Sequence, residues 1–503
     1  MHRRPLFMLL LAASLNPVAV DHTSNRFHVQ TVSLGRVCSE DVALDARTGR
    51  AFIASLDARS DGASCMIDAG RVGMLDPRTG RFTVIPASSY ATLALDAAIA
   101  RVFVPGPRGV SILDAADGHI LGTVAVPGNP DDIVADARTG RVFVLGQKIL
   151  STLDSRTGHL LRSVSLGISS PALPTVADGV GRVFVSGLDG LAVLDARTGA
   201  LVRSVAAGLD GGPIVVDERR GRAFIVTNEG AVGNVDVMLR ILDARTGAVL
   251  HRVTFPRDGS FGAVVVDQGS GHVFVTTDRR VIMLDAGSGT VLRRITVPTA
   301  GIVRVDECTA RLFVLDSVAG VVRIVDTHSG RLVRAVGIGR GLIEGYMDET
   351  KQGLGPDAPV VDEPGDRVFV SNSRDGTVSV LDARDGTAIR TVRLGAGAVG
   401  RSFGPVLVDT RRQRVFIATA GSIRPPFQPG DMLVFTGSGH VSILDAHDGG
   451  VLHTVTVGVR PVLMASDEQA GRAVVLSDGG RATSAQQRAV YTAPASASIL
   501  TGF

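Results

Sequence analysis

The stretch Val360-Val361-Asp362, followed by Arg367-Val368-Phe369-Val370-Ser371-Asn372 and then Gly376-Thr377-Val378-Ser379-Val380-Leu381-Asp382, decides the fold, because both halves recur along the chain. The first half is an apolar pair or triplet ending in Asp, a short gap, and Arg or His before apolar-Phe-Val. Its aspartates are Asp45, Asp96, Asp136, Asp178, Asp217, Asp267, Asp306, Asp362, Asp409 and Asp467. The second half is an alternating run ending Leu-Asp-x-x-x-Gly or a close variant, with Asp76, Asp114, Asp154, Asp195, Asp243, Asp285, Asp326, Asp382 and Asp445. Ten units result, about 47 residues apart on average, the period of propeller blades.

Each unit holds four short segments that are β-branched or aromatic, too short for helices and bounded by turn residues. Asp at a strand end accepts from backbone N–H groups two residues on, and Gly four residues later supplies the positive φ of a tight turn. A four-stranded unit cannot cover both of its own faces, so neighbours stack, and stacking around an axis gives an all-β propeller. Residues 28–35 read as an outermost strand with no unit before them, while the unit from Asp467 lacks one, so pairing the two closes a ring. One ring of ten blades over residues 28–495 is expected. The alternative is a seven-bladed ring over 28–337 with three further units over 358–495, divided at the Gly-rich segment 337–357.

The stretch from Val368 to Asp382 resembles the Tyr-Val-Thr-Asn (YVTN) type of propeller repeat, with Phe369 in place of the motif's Tyr and its Asn at Asn372. That resemblance implies an exported bacterial or archaeal protein and assigns no activity. The Leu-Asp-x-x-Thr-Gly turns also resemble the repeats of quinone-dependent dehydrogenases. Those repeats carry a docking Trp, and this chain has none.

Of 503 residues, 60 are Gly and 45% are apolar, and the mean hydropathy is +0.26, which excludes a disordered chain. Lys148 and Lys351 are the only lysines, so almost all positive charge is guanidinium. The formal charge of +3 implies neither nucleic acid nor a membrane surface as partner. Residues 1–20, with Arg3 and Arg4 before the apolar run Leu6 to Leu15, read as a signal peptide-like leader, and no transmembrane segment follows. An exported, monomeric protein is expected. Cys38 and Cys65 fall in one unit and are candidates for a disulfide. Cys308 sits in a turn on the opposite face and is expected to stay free.

In a four-stranded blade the connections from strand 2 to strand 3, and from strand 4 to the next blade, share one face. The Asp-x-x-x-Gly turns share the other. The insertions, residues 54–70, 226–238, 418–437 and 476–487 together with 337–357 and 395–404, all belong to the first face. Long connections gathered on one rim are the expected binding surface. The candidate contact residues there are Arg340, Glu344, Tyr346, Asp348 and Glu349 in one segment, with Arg401, Arg424 and Asp431 on others.

Chemical motifs fail on context. Gly395-x-Gly397-x-x-Gly400 has no helix after it to hold a pyrophosphate, and Gly400-x-Ser402-x-Gly404 lacks the strand-turn-helix of a nucleophile elbow. His119, His159, His272, His328 and His447 are dispersed around the ring, so no metal site is expected, and no cofactor or catalytic residue is assigned. The expected function is a binding scaffold for a protein or small ligand. The alternative is a propeller enzyme, a lactonase-type hydrolase or quinone-dependent oxidoreductase, with its site at the channel mouth, where the channel strands are apolar except for Arg304.

Overall fold

The computed structural model describes residues 27–35, 37–58, 65–89, 92–171, 174–206, 214–231, 234–255, 261–277, 280–297, 300–340, 358–394, 403–423, 435–478, 481–483, 489–491 and 494–503. They form ten four-stranded antiparallel sheets and two short two-stranded hairpins, with no helix among them. Each sheet is one blade. Successive first strands lie against one another around the axis, and fourth strands form the outer edge.

Period-two alternation explains the stacking. In blade 5 the second strand, Arg222–Ala231, sends Ala223 and Ile225 into a cluster with Phe184 and Val193 of blade 4. Its Phe224 and Val226 enter another cluster with Val273 and Val275 of blade 6. Both sheet faces are therefore interior, and the second strands read as unbroken apolar runs. Phe52, Phe103, Phe143, Phe184, Phe224, Phe274, Phe313, Phe369 and Phe416 occupy the same second-strand position in nine blades, all fully buried or nearly so. Each such ring removes apolar surface worth about 2–3 kcal/mol from water.

The ring closes as the chain ends imply. Blade 10 consists of Arg460–Asp467, Arg472–Asp478, Ala495–Thr501 and, as its outermost strand, His28–Gly35 from the other end of the chain. The register runs from His28 opposite Thr501 to Gly35 opposite Ala495. The sequence places the end of the propeller at residue 495, but the last strand starts there and continues to Thr501. Its Ala-Ser alternation lacks the usual bulky residues, yet Ala495, Ala497, Ile499 and Leu500 are buried.

The long connections from strand 2 to strand 3 are ladders more than loops. In blade 5, Arg222–Ala231 and Asn234–Asp243 pair without interruption out to Ala231 opposite Asn234. Blade 1 extends likewise through Arg50–Ala58 and Cys65–Asp76. Blades 9 and 10 add separate hairpins, Ser422–Ile423 with Phe435–Thr436 and Arg481–Thr483 with Ala489–Tyr491. Three of these four extensions stand on consecutive blades, 9, 10 and 1, across the seam.

Candidate functional site on the loop-rich face

The turn face is closed by a repeated polar staple. The Arg that opens the second strand pairs with the Asp that ends the third strand of its own blade, as in Arg141 with Asp154 (2.8 Å), Arg182 with Asp195 (3.0 Å) and Arg311 with Asp326 (2.8 Å). The same guanidinium donates to a carbonyl in the next blade's turn: Arg141 Nε to Arg197 O (2.9 Å), Arg182 Nε to Arg245 O (2.6 Å), Arg311 Nε to Arg384 O (2.6 Å) and Arg367 Nε to His447 O (2.7 Å). In blade 6 the position is His272, whose Nδ1 lies 2.7 Å from Thr327 O. The turn aspartates accept their own turn's N–H groups. Burial opposes ionisation of Asp195 and Asp326, but the turn hydroxyls, N–H groups and paired arginines outweigh it and hold both carboxyls below the usual range. This face is therefore fixed by structural contacts.

The opposite face opens into a cleft of about 460 Å³ between blades 7 and 8. Its walls are the end of the fourth strand of blade 7, Leu332–Gly337, the residues Ile338 to Arg340 that follow it, and the third and fourth strands of blade 8, Thr377–Asp382 and Ala388–Arg393. Asn372, at the end of the preceding strand Arg367–Asn372, holds the cleft together. Its Nδ2 donates to Ile338 O (3.2 Å) and Arg340 O (3.0 Å), while its Oδ1 accepts from Arg374 N–H (3.1 Å). The motif asparagine thus caps its own turn and clamps the connection arriving from blade 7.

Arg340 is the one candidate contact residue within the described residues, and it lines this cleft. Its N–H donates to Asp375 Oδ2 (2.6 Å) and its Nε to Asp375 Oδ1 (2.5 Å). Burial works to raise the Asp375 carboxyl, but these donors from Arg340 outweigh it and hold the group ionised below the usual range. Across the cleft stand Thr377, Thr391 and Arg393, none of which was singled out from the sequence. Arg393 is exposed and has no hydrogen-bond or ion-pair partner among the described residues. Glu344, Tyr346, Asp348, Glu349, Arg401, Arg424 and Asp431 lie outside the described residues.

Elsewhere, Arg304 on the first strand of blade 7 is exposed and donates to Val303 O (3.0 Å), and its pKa is lowered by partial desolvation from the surrounding protein. Asp41, on the first strand of blade 1, accepts from Leu93 N–H (3.0 Å) of blade 2 and Val42 N–H (2.8 Å). Burial, with Asp132 adding like charge, pushes it up to about 6 against those two N–H donors. Cys308 is free and exposed, with its Sγ 3.6 Å from Glu363 Oε2. Cys38 stands opposite Leu56 and Cys65 opposite Ala58, on strands either side of the same strand, and their side chains are not among those described. No group of three or more His, Cys, Asp or Glu side chains suited to a metal ion occurs among the described residues. No helix there is long and apolar enough to cross a membrane.

A family model described as outer membrane protein assembly factor BamB matches residues 318–489, from the third strand of blade 7 into blade 10. The chain is a β-propeller repeat protein. No curated protein matches it. Among solved structures this propeller is similar to a eukaryotic initiation factor (TM-score 0.51, 9% identity, 79% of this chain and 94% of that one). It is also similar to BamB from Moraxella catarrhalis (TM-score 0.38, 17% identity, 73% and 95%) and to dihydro-heme d1 dehydrogenase NirN in complex with DHE (TM-score 0.42, 12% identity, 71% and 73%). At these identities the likeness is one of fold.

Proposed function

We propose that this propeller is an exported binding scaffold of the YVTN-repeat type, engaging a protein or small ligand through its loop-rich face. The observation that carries the reading is the asymmetry between faces. One is locked by Arg–Asp–carbonyl staples from blade to blade, while the other bears the described strand-2-to-strand-3 extensions of blades 1, 5, 9 and 10 and the cleft between blades 7 and 8. A rigid ring with extended connections gathered on one rim suits recognition, with affinity set by a few arginine and aromatic anchors. The BamB-like match over residues 318–489 supports an exported scaffold.

The test is capture of a partner from the native exoproteome. Replacing Arg340, Glu344 and Tyr346 with Ala should lower capture at least tenfold, and Arg197→Ala on the turn face should leave it unchanged. Equal loss from both would overturn the face assignment. Lactone or alcohol turnover abolished by Asp348→Ala or Glu349→Ala, or stoichiometric metal, would replace the scaffold with an enzyme.

A further inference from the structure

The blade 7–8 cleft departs from the repeat at two positions that correspond to each other. Arg393 is the sixth residue of its fourth strand, and the equivalent residues are Ser165 in blade 3, Thr254 in blade 5, Thr296 in blade 6, Gly337 in blade 7 and Thr456 in blade 9. The repeat thus places a small residue there, and blade 8 alone of these six places a guanidinium. Gly337, the equivalent residue on blade 7, lines the same cleft and has nothing within 4 Å of where a Cβ would stand. A long cation replacing a small residue in a cleft that also holds a glycine is a local breach of a regular pattern, the kind of departure expected at functional sites.

The donor set defines the occupant. Arg393 is opposite Thr377 in the strand register, and Ser379 is opposite Thr391, so guanidinium and hydroxyls line one wall. The single carboxylate among the described residues lining the cleft, Asp375, is already engaged at both oxygens by Arg340. Among the described residues the cleft therefore offers the Arg393 guanidinium and no second carboxylate, with the Thr391 hydroxyl 3.4 Å from Ser379 Oγ. A guanidinium fork without a partner among the described residues matches a planar carboxylate with two parallel N–H···O bonds. We infer that this cleft binds a carboxylate group, with Arg393 as the fork and Thr391 or Thr377 as the flanking donor. This rests on the loop-rich face being the binding face and names the chemistry it recognises there. The carboxylate can come from a small polyacid or from a Glu or Asp side chain of a bound protein.

The experiment uses the full chain and calorimetric titration with tricarballylate, with an acetylated and amidated tri-glutamate peptide, and with the matching tri-glutamine peptide. A carboxylate probe should bind while tri-glutamine does not. Arg393→Gln should weaken that binding at least tenfold, Arg393→Lys should recover only part of it, and far-UV circular dichroism of the variants should match the parent chain. Binding of tricarballylate alone identifies a small acid, and binding of the peptide alone identifies an acidic protein segment. Either supports the inference. Absence of binding by both carboxylate probes, or binding unaffected by Arg393→Gln, overturns it. Exoproteome capture by Arg393→Gln separates the two readings: undiminished capture with no probe binding leaves the scaffold standing and removes the carboxylate.

Discussion

Leu34→Ala tests ring closure at its weakest covalent point, where the two chain ends share a blade. Leu34 belongs to the outermost strand of blade 10 and is 6% exposed. It shares one cluster with Val37, Ala51, Ile53 and Leu75 of blade 1 and with Val474, Leu476, Ala497 and Ile499 of blade 10. Truncation removes three buried carbons, about 2.4 kcal/mol at roughly 0.8 kcal/mol per methylene, and leaves a cavity between two stacked sheets that cannot collapse freely, which raises the cost to about 3 kcal/mol. The chain has no Trp and three Tyr, so urea unfolding is best followed by far-UV circular dichroism, with Leu161→Ala as a control because Leu161 is 48% exposed. The control should cost less than about 0.5 kcal/mol. Protease should also cut the Leu34→Ala variant first within residues 28–35. A loss below about 1 kcal/mol, or loss of residues 28–35 without change in the unfolding midpoint, would show that this strand does not hold the seam.

Arg311→Met removes an ion pair to Asp326 and a charge-assisted bond to Arg384 O of blade 8, and should cost about 2 kcal/mol in the same urea assay. Gly199→Ala and Gly181→Ala both place Ala at positive φ, 67° and 65°, but the added Cβ meets Thr152 Oγ1 at 2.0 Å only in the first. Gly181→Ala should therefore cost about 1 kcal/mol and Gly199→Ala at least twice that. For Asp41 the folded value of about 6 lies above the ordinary 3.8, so the folded state holds the extra proton between them. Its contribution is complete below pH 3.8 and is lost as pH rises through 6, by about 3 kcal/mol, a fall that Asp41→Asn should abolish in a pH series of unfolding midpoints. Asp154, Asp195, Asp243 and Asp326 run the other way: their depressed values stabilise above the ordinary carboxylate range and fade as acid protonates them.

The ring was legible because its determinants are local. Asp and Gly at fixed spacing make the turns, and Phe after Arg makes the interior, whatever the neighbours are. Gly49, Gly199 and Gly386 all take positive φ, and where the repeat lacks Gly the chain accepts the strain at Ala100, Ala310 and Gln413. The arginine staple was not legible, because its acceptors are backbone carbonyls of the next blade and carry no sequence mark. The paired segments Asn228–Ala231 and Asn234–Asp236 in blade 5 read as a loop because they lack a sustained polar–apolar alternation, yet they continue the strands beneath. In the cleft, Arg340 was visible as a charge in a long connection. Arg393 and Thr391 were hidden inside an ordinary strand, although alignment of the fourth strands by position exposes Arg393 as the residue that breaks rank.

The meeting of His28 with Thr501 brings Phe27 and Phe503 into one apolar cluster beside Phe416, with Phe27 stacked on His453 at 5.0 Å and Phe503 edge-on to Phe416 at 4.6 Å. The first and last strands of the ring are thus neighbours, and the ring has no privileged first blade. A gene rearranged to start in one of the short turns, with Phe503 joined to Phe27 by a few residues, should encode the same circle. In chain order the strand His28–Gly35 waits for Ala495–Thr501, so during synthesis blade 1 carries an open flank until the strands of blade 10 have been made.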